Sequence, residues 1–208
     1  MSLYIGLISL SLIVCFICLL LSVVNSASDN SFYLIFLTFA GFIYVFGHLL
    51  KVIAPSAEAA LMGIRVQYVG LPFIAPMFYL FARSVLSPVR PSAKIRILIS
   101  FPPLLLALIF QVFRVFNLYI NKVTFVEHAG VYHWQVVMGP FQIINLIYSY
   151  AFFFLSLGLI IKYFNVFRKH NRHEQIYLLI ASLLLPVLTH VVFRLCAQGT
   201  AHDYSPLA

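Results

Sequence analysis

The sequence predicts an all-α fold, a polytopic bundle of transmembrane helices with six spans and the beginning of a seventh. Of the 208 residues, 63% are hydrophobic and only 9% are charged. A soluble domain of this size carries about a quarter charged residues. The chain has too few charges to cover a water-facing surface, so the lipid bilayer is the expected partner of most of it. The net charge of +8 therefore does not indicate a nucleic-acid partner.

The apolar runs predict a single membrane domain over 1–208, with spans at about 3–24, 32–53, 59–86, 97–116, 138–161 and 175–195 and a seventh beginning near 204. Each of the six runs is long enough to cross a hydrocarbon core about 30 Å thick. The first run has no basic region before it and exceeds the length of a signal-peptide core, so we interpret it as a retained helix. Ser56 is placed to cap the third helix, and Glu58 favours the positive end of its dipole. The longest predicted loop is 117–137.

Basic residues are concentrated in two predicted loops, 83–96 and 162–174, which hold eight of the 13 Lys and Arg residues. Loops rich in Lys and Arg remain in the cytoplasm. Counting spans outward from these loops places the N-terminus outside the cell, and the last residue as well.

Polar and ionisable side chains within the spans are predicted to cluster in their outer halves. Such residues are costly in lipid and usually face the bundle interior or a wet cavity. Two stripes at helical spacing stand out, one on the third span and one on the fifth. If both face a common interior, they line a cleft open to the exterior. The candidate ligand-binding residues are Glu58, Arg65, Tyr68, Arg114, Gln142, Asn145, His190 and Arg194.

A small polar or anionic ligand is expected in this cleft, with Arg65, Arg114 and Arg194 as counter-charges. Other interpretations of the same residues stay open. Arginines near helix ends also extend to the interface without any function. Glu58 and Arg65 are equally suited to a structural ion pair, and the amides of the fifth span to hydrogen bonds between helices.

Catalytic and metal-binding patterns are not found in the sequence. It contains no glycine-rich phosphate loop, no HExxH motif and no Ser, His and Asp set, so we expect no catalytic residue, metal or cofactor and no enzyme activity in this chain. Cys15 and Cys18 form a C-x-x-C pair inside an apolar run, where they are interpreted as packing residues. Prolines within three spans predict bent helices, at Pro72, Pro76, Pro102, Pro103 and Pro186.

The third span carries a recognisable pattern. The run 58–70, EAALMGIRVQYVG, continues with LPFIAP over 71–76 and Phe81-Ala82, and it resembles the N-terminal seven-helix sensor region of bacterial histidine kinases. Three further segments are similar to that family: Gly139-Pro140 with Tyr148-Ser149-Tyr150, Arg172 and Gln175 followed by Pro186, and the run DYSPL over 203–207. The resemblance extends from about Phe32 to the end of the chain.

The resemblance implies a multi-pass sensor in the bacterial plasma (inner) membrane that acts in two-component signal transduction. Such a sensor would bind an extracellular or membrane-borne small ligand of unknown identity, and its seventh helix would signal to a cytoplasmic histidine kinase or diguanylate cyclase. A full-length relative is expected to be a homodimer. Because this chain ends at Ala208, one turn into that helix, we expect a truncated gene product, a fragment or an incomplete sequence that lacks the output domain.

Two alternative functions remain open at this stage. A small transporter or channel subunit would use intramembrane charges along a pathway, and would need polar residues in the inner halves of the spans. A structural or assembly subunit would bind no ligand, and no feature of the sequence excludes it.

Overall fold

The computed structural model describes residues 2–25, 31–87, 91–112, 119–128, 131–169 and 173–196. Within these ranges the chain forms six helices and one pair of strands: α1 (Ser2–Val24), α2 (Ser31–Val52), α3 (Ala57–Leu86), α4 (Ala93–Val112), β1 (Ile120–His128), β2 (Val131–Met138), α5 (Pro140–Lys169) and α6 (His173–Cys196). Helices α1 to α5 are each long and apolar enough to cross a membrane, and α6 contributes a shorter apolar stretch, Glu174–Leu185. The predicted polytopic helix bundle is confirmed. The expected start of a seventh helix near 204 lies outside the described residues.

The segment 117–137 is not the loop that the sequence analysis predicted. Most of it forms an antiparallel hairpin in which His128 pairs with Val131 and Phe125 with Trp134. The sequence contains a signal for it, because β-branched and aromatic residues flank Ala129-Gly130, a pair that favours a turn. This short pattern is much weaker than the long apolar runs around it, which is why the sequence favours a loop.

The two basic segments are also more helical than predicted. Helix α5 continues to Lys169, so much of the predicted loop 162–174 belongs to it, and α4 begins at Ala93, inside the predicted loop 83–96, whereas α3 ends at Leu86 as predicted. No Gly or Pro interrupts residues 162–169, and basic side chains favour the negative end of a helix dipole. At 1.5 Å per residue, the 30 residues of α5 reach about 45 Å, well beyond a hydrocarbon core of about 30 Å.

Helix α3 occupies the centre of the bundle. It packs against α2, α4 and α5, while α1 lies on the far side of α2 and α6 packs against α5. The hydroxyl of Ser56 accepts a hydrogen bond from the Ala59 amide at 3.2 Å and caps α3 as predicted. We call the end of the bundle that carries β1 and β2 the hairpin end, and the end at which α3 meets α4 and α5 meets α6 the basic end.

Helices α2 and α3 are in unusually close contact, which depends on three glycines. A Cβ atom on Gly47 would lie 2.7 Å from the Gly63 carbonyl oxygen and would overlap the backbone of Gln67. One on Gly63 would overlap the backbone of Lys51, and one on Gly70 that of Ala40. Small residues permit such close approach between membrane helices.

The glycine contact can be tested by adding one methyl group at a time. We expect Gly47→Ala and Gly63→Ala to destabilise the bundle by about 1–3 kcal/mol, because the added carbon would force the backbones of α2 and α3 apart. Gly41→Ala is the matched control, since a Cβ atom there meets nothing within 4 Å and alanine favours a helix. Thermal unfolding in detergent measures the difference. Equal stability of all three variants would contradict the contact.

At the basic end the core is apolar and joins three helices. Ile160 of α5 packs with residues of the last turns of α3 and the first turns of α6, namely Phe78, Ala82, Leu86, Ile176, Leu179 and Leu183. The hairpin end has a different character, because its buried layer is aromatic and partly polar.

Candidate functional site

Four aromatic rings form a buried layer at the hairpin end, which we call the aromatic layer. Tyr68 of α3 lies 5.3 Å from Phe110 of α4 and 5.2 Å from Tyr119, measured between ring centroids. Tyr119 contacts Phe110 edge-on at 4.9 Å and stacks on Phe141 of α5 at 6.0 Å. The layer therefore joins α3, α4, α5 and the start of the hairpin.

Hydrogen bonds to two backbone carbonyl groups hold this layer in position. The Gly139 amide donates to the Tyr119 carbonyl oxygen at 2.7 Å, which ties the start of β1 to the start of α5. The Gln111 side chain donates from Nε2 to the Arg65 carbonyl oxygen at 2.7 Å and links α4 to α3. Strand β1 also contacts α3 and β2 contacts α2, so the hairpin lies over the ends of both helices.

The contacts between α3 and α5 establish which residues lie at the same depth. Tyr68 and Phe141 both contact the Tyr119 ring, and Tyr79 contacts Phe152 at 5.6 Å. Each helix advances eleven residues between these two levels (68 to 79 and 141 to 152). Asn145, four residues after Phe141, is therefore level with Pro72.

Three polar atoms at this level are buried without a hydrogen-bond partner among the described residues. They are the Tyr119 hydroxyl, Oε1 of Gln142 and Oδ1 of Asn145. Asn145 is 2% exposed and Tyr119 is 1% exposed, whereas Gln142 is half-buried. We call these atoms the unpaired oxygens.

Burial also determines the protonation state of Tyr119. Removal from water raises the pKa of Tyr119 to about 12. Since a raised pKa favours the neutral form of a phenol, Tyr119 carries its proton throughout the physiological pH range. Its hydroxyl is therefore able both to donate and to accept a hydrogen bond.

The eight residues that the sequence predicts to bind a ligand lie in different parts of the bundle. Glu58 is exposed in the first turn of α3, and Arg65 is half-buried. Tyr68 is 4% exposed in the aromatic layer, and Gln142 and Asn145 follow Phe141 of the same layer on α5. Arg114 lies outside the described residues, and so do the side chains of His190 and Arg194, although the backbone of both belongs to α6.

Two buried tyrosines near the hairpin end were missed by the sequence analysis. Tyr119 lies in the segment predicted as a loop, where an aromatic residue next to a span reads as an interface residue. Tyr4 of α1 forms a 2.9 Å hydrogen bond with Nε2 of His48 of α2, and both side chains are buried. A polar residue at each of two predicted helix ends was the only signal for that pair.

A third tyrosine, Tyr148 of α5, compensates for a proline in α4. Pro103 has no N–H group, so the carbonyl of Ile99, four residues earlier, loses its helical donor. The Tyr148 hydroxyl donates to that carbonyl oxygen at 2.7 Å. In lipid every backbone polar group requires a partner, and α5 supplies one here.

Removal of this hydroxyl should weaken the contact between α4 and α5. We expect Tyr148→Phe to lower the free energy of unfolding by about 0.6–1.7 kcal/mol, the range for interhelical hydrogen bonds in membrane bundles. Tyr150→Phe is the matched control, because Tyr150 is 42% exposed on the same helix. Unfolding of both variants in mixed micelles provides the measurement, and a Tyr148→Phe variant as stable as the control would contradict the assignment.

Metal binding has no support in the described ranges, where no group of three His, Cys, Asp or Glu side chains could hold an ion. What this site offers chemically is hydrogen bonding inside an aromatic layer.

Comparison with known protein families gives one match. The family model described as the N-terminal 7TM region of histidine kinase matches residues 7–208. The comparisons with curated proteins and with solved structures gave no match.

Proposed function

The chain belongs to the family of N-terminal 7TM regions of histidine kinases, and from that premise we propose how it works as a membrane sensory input domain. A small ligand binds in the aromatic layer at the hairpin end, which faces the exterior. Its binding changes the packing of α3, α5 and α6, and that change passes to a cytoplasmic output domain of the histidine kinase type.

The observation that carries this proposal is the burial of the unpaired oxygens. Burying a polar group without a partner costs free energy, about 1–3 kcal/mol in proteins. Three such atoms beside an otherwise apolar cluster of aromatic and aliphatic side chains are therefore unfavourable without a ligand. A bound polar molecule would recover that cost, which makes this layer the best candidate for the input site.

Helix α3 provides the route from the proposed input site to the basic end. Tyr68 belongs to the aromatic layer, and Leu86 belongs to the apolar core at the other end. Pro72 and Pro76 lie between them and are fully buried. Each proline removes one hydrogen bond from the helix and allows it to bend. A ligand shifts the bundle only if it binds one arrangement better than the other.

Transport is less well supported than sensing. A pathway would need polar groups deep in the basic half of the bundle, where the described core of α3, α5 and α6 is apolar. The buried Ser156 hydroxyl on α5 donates to a carbonyl of its own helix, that of Phe152, at 2.7 Å. It is therefore engaged in a local helix bond.

The proposed orientation predicts which ends of the bundle are accessible from outside the cell. With the native cysteines replaced, Glu58→Cys should react with a membrane-impermeant maleimide on intact cells, because Glu58 is exposed at the hairpin end. Glu174→Cys, exposed in the first turn of α6 at the basic end, should react only after the cells are opened. The reverse pattern would place the hairpin inside and exclude an extracellular input site.

Coupling between the two ends can be measured directly in the purified chain. Nitroxide labels at Lys94 and Glu174, both exposed at the basic end, report the separation of α4 and α6 by pulsed electron paramagnetic resonance in nanodiscs. We expect Asn145→Leu at the hairpin end to change the populations of the distance distribution, because it removes a buried unpaired oxygen and so changes the relative stability of the arrangements of the input layer.

Tyr150→Phe is the control for this measurement, since it lies on the same helix and faces away from the core. Its distribution should match that of the unsubstituted chain. If Asn145→Leu also leaves the distribution unchanged, the hairpin end does not communicate with the basic end, and the proposed signalling is wrong.

A further inference from the structure

We propose that the unpaired oxygens form a binding site for a small neutral ligand with at least two N–H or O–H donors and an apolar body. The site consists of Tyr119, Gln142 and Asn145. This inference rests on the proposed sensory function and adds to it the chemical class of the ligand.

Burial and position distinguish this site from an incidental polar contact. Gln142 and Asn145 are three residues apart on α5, so both project from one face of the helix, with a rise of about 4.5 Å between them. Asn145 is 2% exposed and Tyr119 is 1% exposed. Gln142, which follows Phe141, is only half-buried and forms the edge through which a ligand would enter.

The atoms at the site select hydrogen-bond donors. Amide oxygens accept hydrogen bonds and cannot donate them, so Oε1 of Gln142 and Oδ1 of Asn145 each need an N–H or O–H group. The Tyr119 hydroxyl, whose pKa is raised to about 12 by burial, remains neutral and accepts or donates. A carboxylate or phosphate would bring further acceptors to these oxygens.

Charge considerations favour a neutral donor over an ammonium ion. A buried cation needs a counter-charge, whereas the described cluster beside these oxygens consists of aromatic and aliphatic side chains, namely Ile64, Tyr68, Leu106, Phe110, Tyr119, Ile120 and Phe141. Glu58, the acidic residue of the α3 first turn, is exposed to solvent. The same rings and aliphatic side chains suit a ligand whose remaining atoms are apolar.

This class differs from the anionic ligand that the arginines of the spans suggested. Arg65 lies three residues before Tyr68 on α3, and by the register of α3 and α5 it is level with residue 138, about one turn from Gln142. Rotation of either amide by half a turn would present an NH₂ group and select an acceptor ligand. An anionic probe therefore decides between the two classes.

The test uses the whole chain in lipid nanodiscs and four probes of similar size. Two are neutral donors, 1,2-hexanediol and N-butylurea, one is an anion, hexanoate, and one is a cation, hexylammonium. Saturation-transfer NMR measures binding, and the same titrations on the variants correct for partition into lipid. We expect the diol and the urea to bind to the unsubstituted chain. In Asn145→Leu their affinity should be about tenfold lower or more, which corresponds to the loss of one favourable interaction.

A second variant and a matched control keep the test independent of folding defects. Tyr119→Phe retains the ring that packs in the aromatic layer and removes only the hydroxyl, so it should fold and bind the neutral probes less tightly. Tyr150→Phe removes a hydroxyl from the outward face of α5 and should bind them as the unsubstituted chain does.

The unfolding temperature of the chain without any probe distinguishes a binding role of Asn145 from a structural one. Leucine has nearly the shape of asparagine and leaves no polar atom unpaired, so Asn145→Leu should raise the unfolding temperature of the empty protein. If Asn145 instead holds two helices together by a hydrogen bond, the temperature should fall, and the site is wrong.

The possible failures of this proposal can be told apart. Preferential binding of hexanoate or hexylammonium that Asn145→Leu abolishes would overturn the ligand class and leave the sensory function in place. Equal binding of every probe to the unsubstituted chain and to both site variants would overturn the site itself. The coupling between the hairpin end and the basic end is measured without any ligand, so its failure would count against the sensory function alone.

Discussion

The close contact between α2 and α3 is the constraint on which the rest of the bundle depends. Gly47, Gly63 and Gly70 have no side chain, so the two backbones meet directly, and α3 is drawn into the centre of the fold. From there it contacts α4 and α5 on its other sides. Because lipid provides no hydrophobic force between helices, such packing is a main source of stability in a membrane bundle, and it determines which faces of α3 remain for a site.

The hydrogen-bond partners of buried polar groups distinguish the structural parts of the bundle from the candidate site. At the proline of α4 the freed Ile99 carbonyl receives a bond from Tyr148, and the serine hydroxyl of Ser156 bonds to its own helix. Polar groups that serve only the fold are thus satisfied at these two places. By contrast, Gln142, Asn145 and Tyr119 at the hairpin end each bury an oxygen that has no hydrogen-bond partner among the described residues. Unsatisfied groups in a native protein require an explanation, and a ligand is the one we favour.

The sequence alone predicted the helix bundle, whereas the candidate ligand-binding site stays a prediction. Long apolar runs identify helices by length and composition, so the helix bounds agree within a few residues except where α5 extends to Lys169. The hairpin was missed because its short alternating pattern competes with six much stronger signals. Helical spacing puts Gln142 and Asn145 on one face of α5. Tyr119 stacks on Phe141 beside them only through the folding of the hairpin start, a contact between distant segments that periodicity does not contain.

In the mechanism that we propose, the two halves of α3 have different tasks, and the prolines between them allow both. The half near the aromatic layer would change its packing when a ligand pairs with the unpaired oxygens. The half near Leu86 is locked to α5 and α6 by an apolar core, so it must move with them as a unit. Rigid, close-packed interiors pass on displacement instead of absorbing it. With Pro72 and Pro76 buried between the halves, the proposed mechanism converts a change in the angle of one half into a displacement of the ends of α3, α5 and α6 at the basic end, where an output helix would detect it.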